Sequence, residues 1–180
     1  MRIIAGAWRG RPLISPEGRA TRPTSDRARE GLFSMLQSRL GTFEGLRAAD
    51  LFAGTGALGL EALSRGAASC TFIDNDRSAI ATLQRNLAAF DARERADVRT
   101  QSIDHAQPPA APCDIVFMDP PYGTGMAEMA LARIANEAWV APGGFVSVET
   151  AGEPLPLPAG FELAAERRFG KAFLTLFQRG

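Results

Sequence analysis

Two short stretches of this sequence carry residue types that could hold a flat amine beside a reactive group. The first is Asp119-Pro120-Pro121-Tyr122, which directly follows the apolar run Ile115-Val116-Phe117-Met118. Two prolines stop a strand, keep the backbone extended and offer carbonyls with no N–H of their own to compete for them. An acid, rigid carbonyls and an aromatic plane suit a planar ring with an amine on its edge. The carboxylate and a carbonyl accept the N–H bonds while the ring stacks on Tyr122. Taken alone, the same four residues also read as a strand-ending turn with a surface tyrosine.

The second stretch is Gly54-Thr55-Gly56-Ala57-Leu58-Gly59, which has the spacing G-x-G-x-x-G after an apolar strand-like run. Glycines there allow a tight turn and a close approach of backbone to a ligand at a helix N-terminus. Asp74 follows Gly54 by twenty positions, where an acid can accept hydrogen bonds from ribose hydroxyls. That set admits a dinucleotide or S-adenosylmethionine, and Asp50 separates them. A carboxylate entering the turn repels a diphosphate but attracts the ammonium and sulfonium of S-adenosylmethionine; a capping role is the bland alternative. Ser102 and Asp104, after the third strand, are the candidates for contact with the adenine.

These residues need a scaffold, and the sequence from 47 onward alternates strand and helix as a parallel sheet covered on both faces does. Strands are expected at 48–52, 70–73, 98–101, 115–118 and 145–148, with helices at 57–65, 77–90 and 126–138. An order 3-2-1-4-5 makes strands one and four neighbours, so the glycine turn and Asp119-Pro120-Pro121-Tyr122 face one another across the crevice. Pro142-Gly143-Gly144 reads as a turn. Two extended runs, 161–169 and 172–177, are joined at Gly170-Lys171, too short for a crossover helix, so they form an antiparallel hairpin. Ahead of the sheet, a helix is expected from Thr24 or Ser25, with Ala28, Leu32, Met35, Leu36 and Leu40 on one face and Gly41 closing it. Two extended pieces, 2–5 and 11–14, flank Gly6, Trp8 and Gly10, and 15–23 reads as a loop. The division expected is a basic extension over 1–23 and a catalytic domain over 24–180.

Composition narrows the partners. The 180 residues are 46% hydrophobic and 22% charged, with no net charge, which fits a folded domain rather than a disordered chain. Residues 1–30, however, carry seven arginines against three acids, so a basic start sits on an acidic body. This suggests a local anionic partner such as nucleic acid. Trp8, between arginines, either stacks on a base or anchors the segment. No apolar stretch approaches bilayer length and no signal-peptide core is present, so a cytoplasmic protein without a membrane partner is expected. Cys70 and Cys113 suit buried, reduced thiols, and the single His105 lacks partners for a metal site.

Asp50-Leu-Phe-Ala-Gly-Thr-Gly56 together with Asp119-Pro-Pro-Tyr122 resembles the class I S-adenosylmethionine-dependent methyltransferases that modify amino groups. Met1-Arg-Ile-Ile-Ala-Gly-Ala-Trp-Arg-Gly-Arg11, Arg22-Pro-Thr-Ser-Asp-Arg-Ala-Arg-Glu30 and Ala57-Leu-Gly-Leu-Glu-Ala-Leu-Ser-Arg-Gly66 resemble, more narrowly, the RsmD-type bacterial small-subunit ribosomal RNA guanine-N2 methyltransferases. The resemblance spans essentially the whole chain. It implies a Rossmann-like doubly wound sheet of seven strands, with one antiparallel strand from the last hairpin placed inside the order. It implies S-adenosylmethionine at Asp50, Phe52, Gly54, Gly56, Asp74, Ser102 and Asp119, with S-adenosylhomocysteine as product. Asp119, Pro120 and Tyr122 would hold the guanine, and Arg2, Trp8, Arg9, Arg11, Arg22 and Thr24 would meet 16S rRNA or the assembling 30S subunit, the enzyme acting as a monomer. Ser102-Ile103 departs from the Asp or Asn followed by Ala found in many relatives. The competing readings are an adenine or amide methyltransferase of the same fold, a nicotinamide-dependent oxidoreductase, for which Asp50 argues poorly, and a non-catalytic assembly factor.

Overall fold

Apolar runs, one ending in a glycine turn and one in a double proline, dictate the centre of the sheet. In the computed structural model, residues 1–16 and 23–180 are described, without the side chains of 23–25. Strand β1 (Arg47–Leu51) and strand β4 (Cys113–Met118) are buried on both faces, as strands covered by helices must be. They pair in parallel, with Ala48 opposite Ile115 and Leu51 opposite Met118. Helix α1 (Pro23–Leu40) precedes β1, and helix α2 (Ala57–Ser64) follows it. Strand β2 (Ser69–Asp74), helix α3 (Arg77–Ala89), a short 3-10 turn at Arg93–Arg95 and strand β3 (Ala96–Thr100) come next. After β4 come helix α4 (Met126–Asn136), strand β5 (Val140–Thr150) and the hairpin of β6 (Phe161–Phe169) with β7 (Ala172–Arg179).

The seven strands run in the order β3-β2-β1-β4-β5-β7-β6. The first five are parallel, and β7 pairs antiparallel with both β5 and β6. This is the doubly wound sheet with an antiparallel strand inserted by the hairpin. One correction concerns Pro142-Gly143-Gly144. These residues lie within β5, where Cys113 pairs with Val140 but Ile115 already pairs with Phe145, so the surplus residues bulge. A bulge keeps the strand continuous while breaking its register locally, which a proline and two glycines tolerate.

Two apolar layers hold the sheet. One face packs Phe72, Phe117, Leu174 and Leu176 against α1, α2 and α3 through Leu32, Phe33, Leu36, Leu60, Leu63, Leu83 and Leu87. The other packs Val116, Met118, Val146 and Val148 against α4 through Ala130, Leu131 and Ile134, closed by Trp139. Fully burying each large side chain contributes about 1.5–3 kcal/mol. The α1 face is the expected one with Phe33 added. Gly41, at φ 75, ends that helix as a residue free to adopt the left-handed region. Both cysteines are buried and free.

The N-terminal segment is tied to the body rather than standing apart. It forms one antiparallel bridge, Arg2 with Pro12, in place of two longer strands. Ile3 and Leu13 are buried in the first apolar layer. Glu61, fully buried on α2, accepts from Ile4 N–H at 2.8 Å and Ala5 N–H at 3.0 Å. Ser64 donates to the Ala5 carbonyl at 2.6 Å and accepts from Trp8 N–H at 3.0 Å. Asn86, buried on α3, accepts from Ile14 N–H at 2.8 Å and donates to the Ile14 carbonyl at 3.0 Å. Buried side chains thus satisfy backbone groups that a short irregular segment cannot pair within itself. The 15–23 loop of the sequence reading lies outside the described residues from 17 to 22.

Candidate active site

The carboxyl ends of β1 and β4 are adjacent, so the glycine turn and Asp119-Pro120-Pro121-Tyr122 meet across one crevice. Asp50, at 1% exposure, lies beneath the turn and accepts from Gly59 N–H at 2.9 Å. Burial pushes its carboxyl well above the usual carboxylate range, Gly59 N–H pulls it back, and the charges of Asp119 and Asp74 push it further up. Phe52 enters the turn at φ 67, a left-handed conformation that costs a non-glycine residue about 1–2 kcal/mol. Such strain at the mouth of a crevice is common where a site needs a fixed backbone. Gly56 sits at φ 83, and a Cβ there would come within 2.3 Å of Leu83 Cδ1. At Gly59 a Cβ would meet Phe72 Cε1 at 2.3 Å, so only glycine lets α2 pack this closely on the sheet.

Asp74 ends β2 with both oxygens engaged: Gly54 N–H reaches one at 2.7 Å and Asp76 N–H the other at 2.8 Å. Beside it, Phe52, Ile73, Asp74, Ser102, Ile103 and Met126 line a shallow hollow. Ser102 lines this hollow and Asp104 does not. The Ser102 side chain instead holds the nearby Asp104 carboxyl below its ordinary value. The loop after β3 is fixed from the other side by Arg133, which donates to the Ile103 carbonyl at 2.8 Å and the Ala106 carbonyl at 2.9 Å. Glu137 holds Arg133 in turn at 2.8 Å.

On the β4 side, the Thr124 hydroxyl donates to the Pro121 carbonyl at 2.9 Å. The two proline carbonyls are therefore not equivalent, and it is the Pro120 carbonyl that stays unclaimed among the described residues. Tyr122 is 42% exposed, and its hydroxyl donates to Glu149 Oε1 at 2.7 Å. Asp119, Ser147 and Glu149 line a small inner cavity of about 60 Å³ against α1, together with Arg29. Pro120, Pro121, Tyr122, Glu149 and Thr150 line a larger outer one of about 220 Å³. The first has room for a few waters and the second for a planar ring.

Charge decides what this crevice takes. Its surroundings and the neighbouring Glu149 raise the Asp119 carboxyl from 3.8 to about 7. The residue is open to solvent, so water in the cleft tempers that rise. Among the described residues, no ion pair involves Asp50, Asp74, Asp119 or Glu149. Four carboxyl groups with no ion-pair partner among the described residues fit a ligand bearing positive charge and ribose hydroxyls, as S-adenosylmethionine does. They do not fit a diphosphate.

The expected nucleic-acid residues fall into three groups. Arg2 and Arg9 are exposed, and Arg2 also donates to the Gly10 carbonyl at 2.8 Å. Arg11 is exposed and lies over the Phe90 ring at 4.6 Å, while half-buried Trp8 packs on the same ring at 5.0 Å with Arg95 on its face. Arg22, and the side chain of Thr24, lie outside the described residues. The sequence reading missed Glu149, Glu61, Asn86 and Arg133. A signal existed for three of them. Glu61 is the lone charge in the apolar helix Ala57–Ser64, Asn86 interrupts the apolar face of α3, and Glu149 follows Phe145 and Ser147 at the period of one strand face.

Comparison with known proteins agrees with this geometry. The model of the family described as conserved hypothetical protein 95 matches residues 1–178. Ribosomal RNA small subunit methyltransferase D of Escherichia coli K12 is 39% identical over 181 residues, covering 99% of this chain and 90% of that protein. The protein of the same name from Haemophilus influenzae Rd is 40% identical over 185 residues, covering 99% and 93%. The solved structure of yhhF from Escherichia coli superposes with a TM-score of 0.87 at 39% identity, covering 99% of this chain and 97% of that one. With the glycine turn, the acidic crevice and Asp119-Pro120-Pro121-Tyr122 all in place, the chain belongs to the family described as conserved hypothetical protein 95, a family of S-adenosylmethionine-dependent methyltransferases.

Proposed function

We propose that this chain methylates the exocyclic N2 amine of a guanine in 16S ribosomal RNA, acting in the cytoplasm during small-subunit assembly. The carrying observation is the Pro120 carbonyl, unclaimed among the described residues, at a 220 Å³ cavity walled by an exposed tyrosine, with the Asp119 carboxylate in the adjoining inner cavity and Glu149 lining both. Near-full-length similarity to methyltransferase D proteins supports the rRNA substrate. Bound at the turn, S-adenosylmethionine supplies an electrophilic methyl group. Asp50, Phe52, Gly54, Gly56, Asp74 and Ser102 would hold it, with Asp119 closing its cationic end.

The guanine is flipped from its RNA context and stacks on Tyr122. Asp119 and the Pro120 carbonyl accept from its amine, which turns the nitrogen lone pair toward the glycine turn. Positioning and electrostatics therefore carry the rate. Asp119, with its raised proton affinity, receives the proton that the amine sheds. Arg2, Arg9 and Arg11, exposed on the N-terminal segment, supply phosphate contacts near Trp8; Arg22 and Thr24 are further RNA contacts in this reading, and a monomer suffices.

The test is methyl transfer from labelled S-adenosylmethionine to small subunits isolated from cells lacking the enzyme, followed by nucleoside analysis. N2-methylguanosine in 16S rRNA is the expected product. Label in another base, or none in rRNA, overturns the reading.

A further inference from the structure

Asp119 and Glu149 form a pair of acceptors on neighbouring strands. Phe117 is opposite Ser147 and Met118 opposite Val148 in the β4–β5 register. Continuing that register places Asp119 beside Glu149, with both side chains on the face that Phe117 and Ser147 share. Both line the inner cavity behind the crevice. Glu149 also walls the outer cavity next to Pro120 and Tyr122. One of its oxygens accepts from the Tyr122 hydroxyl at 2.7 Å, and among the described residues the other accepts from nothing. A half-buried carboxylate beside a second carboxylate, with one oxygen fixed and one open, is costly unless a donor arrives.

Guanine brings adjacent donors, the N2 amine and N1–H; adenine presents an acceptor next to its amine. We propose that Glu149 is the specificity-determining residue: its open carboxylate oxygen, oriented through Tyr122, accepts N1–H of the target guanine while Asp119 and the Pro120 carbonyl accept from N2. This rests on the guanine reading above. Tyr122 then has two tasks, stacking through its ring and fixing the second acceptor through its hydroxyl. The raised proton affinity of Asp119 agrees with a second carboxylate this near. A base with a lone pair at N1 would face the Glu149 carboxylate with no hydrogen between them and leave a charged acceptor unpaired.

The experiment compares guanosine with 2-aminopurine riboside, which keeps the amine but lacks N1–H, placed by ligation at the modified position of 16S rRNA in reconstituted subunits. The wild-type enzyme is expected to prefer guanosine in kcat/KM by on the order of 100-fold, the worth of one charge-assisted hydrogen bond and its unpaired partner. Glu149→Gln, whose amide can donate to N1, should lose guanosine activity, gain on 2-aminopurine, and bring the two within about threefold of each other. Tyr122→Phe keeps the ring and is expected to weaken the preference in part. Equal use of both bases by the wild-type enzyme overturns the proposal even if a variant fails to fold. A Glu149→Gln enzyme that slows both bases by one factor also overturns it, since Glu149 would then only steer Tyr122. Failure of the guanine reading shows separately, as a natural product other than N2-methylguanosine.

Discussion

Replacing Asp119 with Asn should stabilise the free protein, and the gain should grow with pH. The carboxyl is raised from 3.8 to about 7 in the folded chain, first by its surroundings and then by Glu149. Between those values the native state binds a proton that the unfolded chain releases. Stability is therefore highest below about pH 4 and is lost as pH rises toward 7. Carried in full, the rise from 3.8 to about 7 would amount to ~4 kcal/mol at most. Because Asp119 is open to solvent, about 1 kcal/mol is the fitting magnitude. Asparagine keeps the shape and removes the titration. Urea unfolding of both proteins from pH 4 to 8 should give curves that coincide near pH 4 and separate by about 1 kcal/mol above pH 7. The melting temperature of the variant should rise by about 2–4 °C at pH 8. Removing the Asp119 charge also eases the upward push on Asp50, which adds to the separation in the same direction. A stability difference that is flat across this range, whatever its sign, would refute the account of Asp119 as a repelled carboxylate.

Three further outcomes bear on the frame around the site. Glu61→Ala strands two backbone N–H groups and Arg65 in the interior, so chemical denaturation should show a loss of about 3–5 kcal/mol, with Glu61→Gln milder. Asn86 bonds Ile14 on one side and donates to the Thr55 carbonyl at 3.0 Å on the other. Asn86→Ala should therefore weaken S-adenosylmethionine several-fold by calorimetry; an unchanged affinity would show that Thr55 needs no support. Neutralising Arg2, Arg9 and Arg11 together should flatten the salt dependence of RNA binding by about two units of slope and leave cofactor affinity alone.

The layout of the sheet was legible in the sequence because each cue was local. Apolar runs placed β1 and β2 beside glycine turns and β4 between Asp114 and a double proline, and the two-residue joint at Gly170-Lys171 required the hairpin. Where the cues failed, distant pairing decided. Pro142-Gly143-Gly144 has the composition of a turn, yet β4 on one side and β7 on the other hold its strand together, and the glycines become a bulge. The N-terminal segment reads as a charged arm because its arginines are visible and its fasteners are not. Glu61, Ser64 and Asn86 lie more than fifty residues away in sequence. Within the site, the sequence showed the acid and the tyrosine of β4. The spacing of Phe145, Ser147 and Glu149 marks a strand face, but only the register of β5 on β4 puts Glu149 beside Asp119.

The crevice is also where the chain breaks the rules it obeys elsewhere. The two apolar layers are continuous and their helices follow simple periodicity. At the carboxyl ends of the strands, by contrast, Phe52 takes a left-handed backbone, the lone tyrosine faces solvent, and four carboxyl groups gather with no ion-pair partner among the described residues. The gathered carboxyl groups cost stability in the free protein, and a cationic ligand or a flat donor-rich base relieves that cost. Natural sequences retain such local conflicts where function requires them. The same argument separates the carboxylates by role. Asp50 and Asp74 already have backbone donors, so they shape the turn before any ligand binds. Among the described residues Asp119 and the second oxygen of Glu149 have none, so their stabilisation must come from what the crevice receives.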